Sequence, residues 1–305
     1  MNVSGNSSNI VPISKGEIAG LAIRAICFFL GIFGNIAVVV VLVRNFKKTN
    51  FTLQLMLNLA ASDILCLAML PLWICNLLFG WTMDLHLCRF FCFVTLTAVH
   101  ASVFIVTLMS VQRYVMVLYR PQWSRLGRRG ERGVLGLVWV LAAALAISPA
   151  ATYGIITGDG SRPICEQVFR SEEQKVGVLL LETMAMFVVP FSTMLVSYLC
   201  LHKKVSAKAL GSHQRLAVLV TSIVVTFFIF WIPYHVVNVM IIAAPLEPVK
   251  LVQRVAFRGP RRVVQGIVLF NSCVNPLLYA FNYRRYRDEQ PGTEVNNTQI
   301  SNDSS

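Results

Sequence analysis

Long apolar runs, punctuated by short polar and basic segments, set the pattern of this chain. Seven stretches, residues 18–43, 52–78, 88–118, 133–157, 175–201, 216–244 and 261–283, are each mostly apolar. A helix that crosses a bilayer needs about 20 such residues. Each stretch is bounded by charge or by loops bearing Gly or Pro. The pattern predicts an all-α membrane protein, a seven-transmembrane helix bundle. No internal repeat and no long low-complexity linker interrupt it. The chain therefore divides into an N-terminal segment (1–17), one membrane domain (18–287) and a tail (288–305).

Composition agrees with this reading. The 305 residues are 56% hydrophobic and 13% charged, with a mean hydropathy of +0.64. A soluble domain carries roughly a quarter charged residues. The net charge of +13 raises the question of nucleic acid, but no soluble basic domain exists to bind it. Lys and Arg instead mark the inner loops. Arg44, Lys47 and Lys48 follow span one, and Arg120, Arg125, Arg128, Arg129 and Arg132 follow span three. Lys203, Lys204, Lys208 and Arg215 follow span five, and Arg284, Arg285 and Arg287 follow span seven. The N-terminus is thus expected outside. Its polar start lacks the basic region and cleavage site of a signal peptide, so span one would do the targeting. Asn2 and Asn6 stand in glycosylation sequons on that outer side. One outer segment defies the charge rule. Lys250, Arg254, Arg258, Arg261 and Arg262 face a lone acid, Glu247. They form either a solvated basic loop or a collar that draws anions to a pocket mouth.

Six of the eight cysteines fall within spans, where the residue serves as a small apolar side chain. Cys88 and Cys165 face an oxidising compartment, and a disulfide between them is expected. No Cys/His pair has zinc-ligand spacing. Asp63 lies mid-span, and Ser102, Asn271, Ser272 and Asn275 can reach it if the helices form one bundle. Such a carboxylate suits either a small monovalent cation or a protonated acid in a hydrogen-bond network. In span six, Pro233 removes a backbone donor and kinks the helix. His235 and Asn238, three residues apart, share a face that is tolerable if it lines a wet cavity.

The motifs come one set per span. They are Gly34–Asn35, "NLAASD" ending at Asp63, "QRY" at Gln112–Tyr114, Trp139, Pro190 with Tyr198, "FWIP" at Phe230–Pro233, and "NPLLY" at Asn275–Tyr279. In that order they resemble the rhodopsin-like (class A) G-protein-coupled receptors over nearly the whole chain. The resemblance implies a multi-pass plasma-membrane receptor that signals to a heterotrimeric G protein, with arrestin and a receptor kinase as further partners. It implies a sodium pocket at Asp63, Ser102, Asn271 and Asn275. An inner-face switch falls at Arg113, Tyr198 and Tyr279, and a hinge at Trp231 and Pro233. No other cofactor or metal is implied.

The longer string "FWIPYHVVN" resembles the sixth helix of leukotriene B4 receptors, and "LFNSCVNPLLYAF" is similar to their seventh. A ligand of that kind is a long apolar chain with a carboxylate and two hydroxyls. It requires a greasy channel, hydroxyl partners and a cation. The expected contacts are His100, Lys175, Glu182, Trp231, Tyr234, His235, Asn238, Arg258 and Arg261. The resemblance also implies an inhibitory-type G protein. Gly154 and Cys92 depart from it, standing where these receptors usually carry arginine and histidine. Receptors of the same class for chemoattractant peptides or other eicosanoids are the alternative, and a transporter is the distant one. A retinal protein is excluded, because residues 261–283 contain no lysine for a Schiff base. No nucleophile, acid–base pair or metal set in register points to an enzyme. Gln112, in place of an acid beside Arg113, predicts raised basal signalling.

Overall fold

The computed structural model describes residues 15–45, 51–157, 162–204, 214–243, 261 and 263–277. Span one is α1 (Lys15–Asn45). Span two is α2 (Phe51–Ala68) followed, after a turn at Met69, by α3 (Leu70–Phe79). The break has a local cause: Pro71 offers no N–H and its ring meets the carbonyl one turn back. Span three is α4 (Leu85–Leu118), capped by Asp84, whose carboxylate accepts from the Leu87 N–H at 2.8 Å.

Helix α5 (Arg120–Ala151) is two helices joined at Gly127, whose φ of 61° is a left-handed conformation open to glycine. Its second part forms span four. The span ends at Ala151, earlier than the expected 157, because Tyr153–Ile156 (β1) pairs antiparallel with Ile164–Gln167 (β2). The hydrophobicity of "YGII" suits a strand as well as a helix, and pairing with the second outer loop decides the matter.

Span five is α6 (Glu172–Thr183), a π-helical turn at Met184–Val188, and α7 (Val189–Lys204). The π turn precedes Pro190, which cannot donate to the ordinary ladder. Span six, α8 (Gln214–Ala243), continues through Pro233. Span seven is described over Val263–Leu277, which we label α9. Among the described residues, six spans are long and apolar enough to cross a membrane, and α9 is the described part of the seventh.

Small residues fix the closest approaches. A Cβ on Gly34 would sit 2.9 Å from the Pro276 ring, and one on Gly31 would sit 2.5 Å from Leu67. Spans one, two and seven thus pack tightly around Cys27, Cys66, Leu67, Leu269 and Cys273. The Asn35 amide bridges spans one and seven by donating to the Ser272 carbonyl at 2.9 Å. Trp139 of span four donates to Asn58 of span two at 3.1 Å. The main core runs through the middle of the bundle, from Leu55 and Leu59 past Ile105 and Met109 to Phe227 and Trp231. Many large apolar side chains point outward instead, among them Phe29, Phe33, Val140, Ile147 and Ile229. A bundle in water would hide these, whereas one in lipid presents them.

Candidate functional site

The outer end of the bundle is roofed by the β1–β2 hairpin. Cys165 on β2 is disulfide-bonded to Cys88 at the start of α4. The buried Asn76 side chain grips the same residue twice: its amide donates to the Cys165 carbonyl at 2.9 Å, and its oxygen accepts the Cys165 N–H at 3.0 Å. The Trp81 N–H donates to the Pro163 carbonyl at 2.6 Å, and Arg89 donates to the Tyr153 carbonyl at 3.0 Å. Every one of these ties joins the roof to spans two, three or the turn between them.

Beneath the roof lies a cavity of about 610 Å³. Leu70, Trp73, Leu96, Val99, Val268 and Leu269 give it apolar walls, and Trp231 lines it as well. Its polar groups sit at distinct stations. On the five–six side the Tyr234 hydroxyl donates to Glu182 Oε1 at 2.7 Å. Arg261 donates through Nη2 to Gln167 Oε1 on β2, and its Nε has no partner. The Tyr153 phenol is held well above its usual range by burial and the nearby Cys92 thiol, so it is a neutral hydroxyl. At the mouth, Lys175 is ion-paired with Glu172 one turn away. Arg24 of span one also lines the cavity and is buried, donating to the Gly20 carbonyl at 3.0 Å.

Of the expected contacts, Lys175, Glu182, Trp231, Tyr234 and Arg261 face this cavity. His100 does not. It is buried against span four, with Nδ1 3.3 Å from the Ala142 carbonyl, beside a void of only about 10 Å³. His235 turns toward span five, where Nδ1 lies 3.3 Å from the Thr183 hydroxyl. Its ring stacks on Phe187 at 4.8 Å and on Trp231 at 5.6 Å. Asn238 is fully buried and approaches Tyr234, but neither polar atom of its amide completes a hydrogen bond. The three-residue spacing placed His235 and Asn238 on one face; His235 meets Thr183 of α6, Asn238 lies beside Tyr234, and neither is among the residues that line the cavity. Arg258 lies outside the described residues.

Arg24 was missed, although a signal was present. A charged residue seven positions into a predicted membrane span is costly unless it meets a cavity or a partner. Tyr153 and Gln167 gave no such signal, because only the hairpin brings them over the cavity.

Deeper in, Asp63 is fully buried. It accepts from the Asn275 amide at 2.8 Å and from the Ser102 hydroxyl at 3.4 Å, and Ser272 also bonds to it. The side-chain oxygens of Asn35, Asn271 and Asn275 are buried without a partner. At the inner end, Arg113 is buried, with Nε and Nη2 unpartnered. Its neighbour Gln112 turns to Thr52 of span two, donating to that hydroxyl at 2.9 Å and accepting from it at 3.2 Å. Tyr198 is 48% exposed on the outer surface of span five. Tyr279, Asn2 and Asn6 lie outside the described residues. Among the described residues, no cluster of three or more His, Cys, Asp or Glu side chains is placed to hold a metal ion.

The sequence profile of the family described as "7 transmembrane receptor (rhodopsin family)" matches residues 34–279. The chain belongs to this family. The receptor is 29% identical over 285 residues to leukotriene B4 receptor 1 of Homo sapiens, covering 90% of this chain and 80% of that protein. It is 30% identical over 283 residues to leukotriene B4 receptor 1 of Rattus norvegicus, covering 90% and 77%. It is 27% identical over 283 residues to the C3a anaphylatoxin chemotactic receptor of Oncorhynchus mykiss, covering 89% and 75%. Members of the family are G-protein-coupled receptors rather than enzymes, so this receptor is a multi-pass plasma-membrane protein whose partners are a ligand and a G protein.

Proposed function

We propose that this receptor binds an anionic lipid mediator, leukotriene B4 or a close chemical analogue, and activates an inhibitory-type heterotrimeric G protein. The observation that carries the reading is the cavity itself: about 610 Å³, walled by apolar side chains, with the buried Tyr234–Glu182 bond at one station and cations at others. A long chain with one carboxylate and two hydroxyls fits that layout. Glu182 and Tyr234 offer an acceptor and a donor for hydroxyls. The cationic side chains take the carboxylate, and Trp231 forms the floor. His100, His235 and Asn238 act behind this wall, setting how Glu182, Trp231 and Tyr234 are held. Likeness to the two leukotriene B4 receptors supports the choice of lipid.

Pressure on Trp231 from above is transmitted along span six, whose inner half moves away from span three and opens a cleft beside Arg113 for the G-protein α subunit. The Asp63 pocket fits a sodium ion, since one carboxylate, the Ser102 hydroxyl and the side-chain oxygens of Asn271 and Asn275 supply hard oxygen donors. A bound cation there neutralises Asp63. Thr293, Thr298, Ser301, Ser304 and Ser305 in the tail are the sites offered to a receptor kinase, and through it to arrestin.

The test is a G-protein activation screen in cells expressing the receptor, using leukotriene B4, other oxidised fatty acids and chemoattractant peptides. Activation by leukotriene B4, blocked by inactivating inhibitory-type α subunits, is the expected result. A robust peptide response with silence toward every eicosanoid overturns the lipid reading. Similarity to the C3a receptor makes the peptide the second reading.

A further inference from the structure

Two opposite charges share the outer corner of the cavity without pairing. Glu182 of span five and Arg261 at the start of span seven both line it, and each feels the other's charge. Among the described residues only Glu172 and Lys175 form an ion pair, so Glu182 and Arg261 stay apart. Opposite charges in a desolvated corner attract strongly, and something must hold each one back. The holders are neutral. Glu182 Oε1 accepts from the Tyr234 hydroxyl at 2.7 Å, and Arg261 Nη2 donates to Gln167 Oε1.

Gln167 is itself a fixed point. Its Nε2 donates to the Thr152 hydroxyl at 3.0 Å, and that hydroxyl donates to the Pro149 carbonyl at 2.6 Å. The Gln167 side chain therefore ties the end of span four to the start of span seven. Its backbone pairs with Tyr153 across the hairpin. Two residues earlier stands Cys165, held by the Cys88 bridge and by Asn76. The residue type matters as much as the anchoring. A carboxamide oxygen accepts from a guanidinium without cancelling its charge, as a carboxylate would. Arg261 thus keeps its charge, and its buried, unpartnered Nε, for another group.

We infer that Gln167 is a positioning residue of the binding site: it holds Arg261 off Glu182 and keeps this corner open to a ligand bearing both an acid and a hydroxyl. Without that hold the guanidinium swings onto the carboxylate, and an entering ligand has to break the ion pair first. Neither the family motifs nor the leukotriene resemblance singles out Gln167. The ligand's identity rests on the lipid reading; the restraint on Arg261 does not.

The experiment is a double-mutant cycle between Gln167→Leu and Glu182→Gln, read with and without ligand. Gln167→Met, which keeps the length of the side chain, stands in if Gln167→Leu does not reach the cell surface. With leukotriene B4 as radioligand, Gln167→Leu is expected to weaken binding about tenfold in the wild-type receptor. In the Glu182→Gln background, where no ion pair can form, the same change should cost less than about threefold. Damage to the fold alone would cost the same in both, and equal losses overturn the inference. The ligand-free arm follows the melting temperature of the detergent-solubilised receptor. Glu182→Gln should lower it by about 2–4 °C more in Gln167→Leu than in wild type, because only there does it remove an ion pair. Equal shifts overturn the inference. If the wild-type receptor binds no leukotriene B4, the lipid reading falls alone, and the ligand-free arm judges Gln167.

Discussion

Replacing Gln112 by Asp tests how the inner face is restrained. In the present arrangement the Arg113 guanidinium is buried with Nε and Nη2 unpartnered, while the Gln112 amide is held by Thr52 at 2.9 and 3.2 Å. An Asp at 112 loses the amide donor but still accepts from the Thr52 hydroxyl, at a cost of about 0.5–1.5 kcal/mol for one neutral hydrogen bond. It gains a charged contact with Arg113 worth about 1.5–3 kcal/mol. Adjacent helix positions diverge by roughly 100°, so the lower part of that range applies. The net is about 1 kcal/mol in favour of the closed state, which is roughly a fivefold shift in the equilibrium. Agonist-free nucleotide exchange on the G protein, measured per surface receptor, should fall by about that factor in Gln112→Asp and stay unchanged in Gln112→Asn. Equal basal activity in the wild-type receptor and Gln112→Asp would refute the reasoning.

Tyr234→Phe removes a donor to a buried carboxylate, and the 2.7 Å bond to Glu182 makes a cost of about 1–3 kcal/mol expected. Agonist affinity should drop roughly 5- to 100-fold by radioligand competition, and adding Glu182→Gln should cost much less in the double variant than alone. Gly34→Val drives a side chain into the Pro276 ring, 2.9 Å from the new Cβ. Overpacking of this kind costs about 1–3 kcal/mol, so detergent-solubilised receptor should lose its fold at a lower temperature. Asp63→Asn removes the charge that a monovalent cation would neutralise. Agonist affinity should then no longer change when sodium replaces a large organic cation at equal ionic strength.

The spans were legible in the sequence because the bilayer demands length and apolarity from every one of them. The buried amides and carboxylate around Asp63 were legible for a related reason: polar groups in oil must find each other, and few candidates exist per span. What the sequence concealed was partner choice. His235 and Asn238 were recognisable as inward-facing, yet helical periodicity gives a direction and not the neighbour met there; for His235 the neighbours are Thr183 and Phe187 rather than the cavity. The hairpin was hidden because four-residue strands carry too little alternation to outweigh their apolar composition. Its pairing depends on a disulfide and on Asn76, both distant in sequence. Arg24 was readable in principle, for a guanidinium inside a span raises its own question.

The double grip of Asn76 on Cys165, added to the Cys88 bridge, has a kinetic implication. A canopy riveted at its centre does not swing aside to admit or release cargo, so traffic passes along its margins. A guest seated beneath a fixed canopy leaves only by those margins. Potency differences among related agonists should therefore register mainly as differences in how long each one stays.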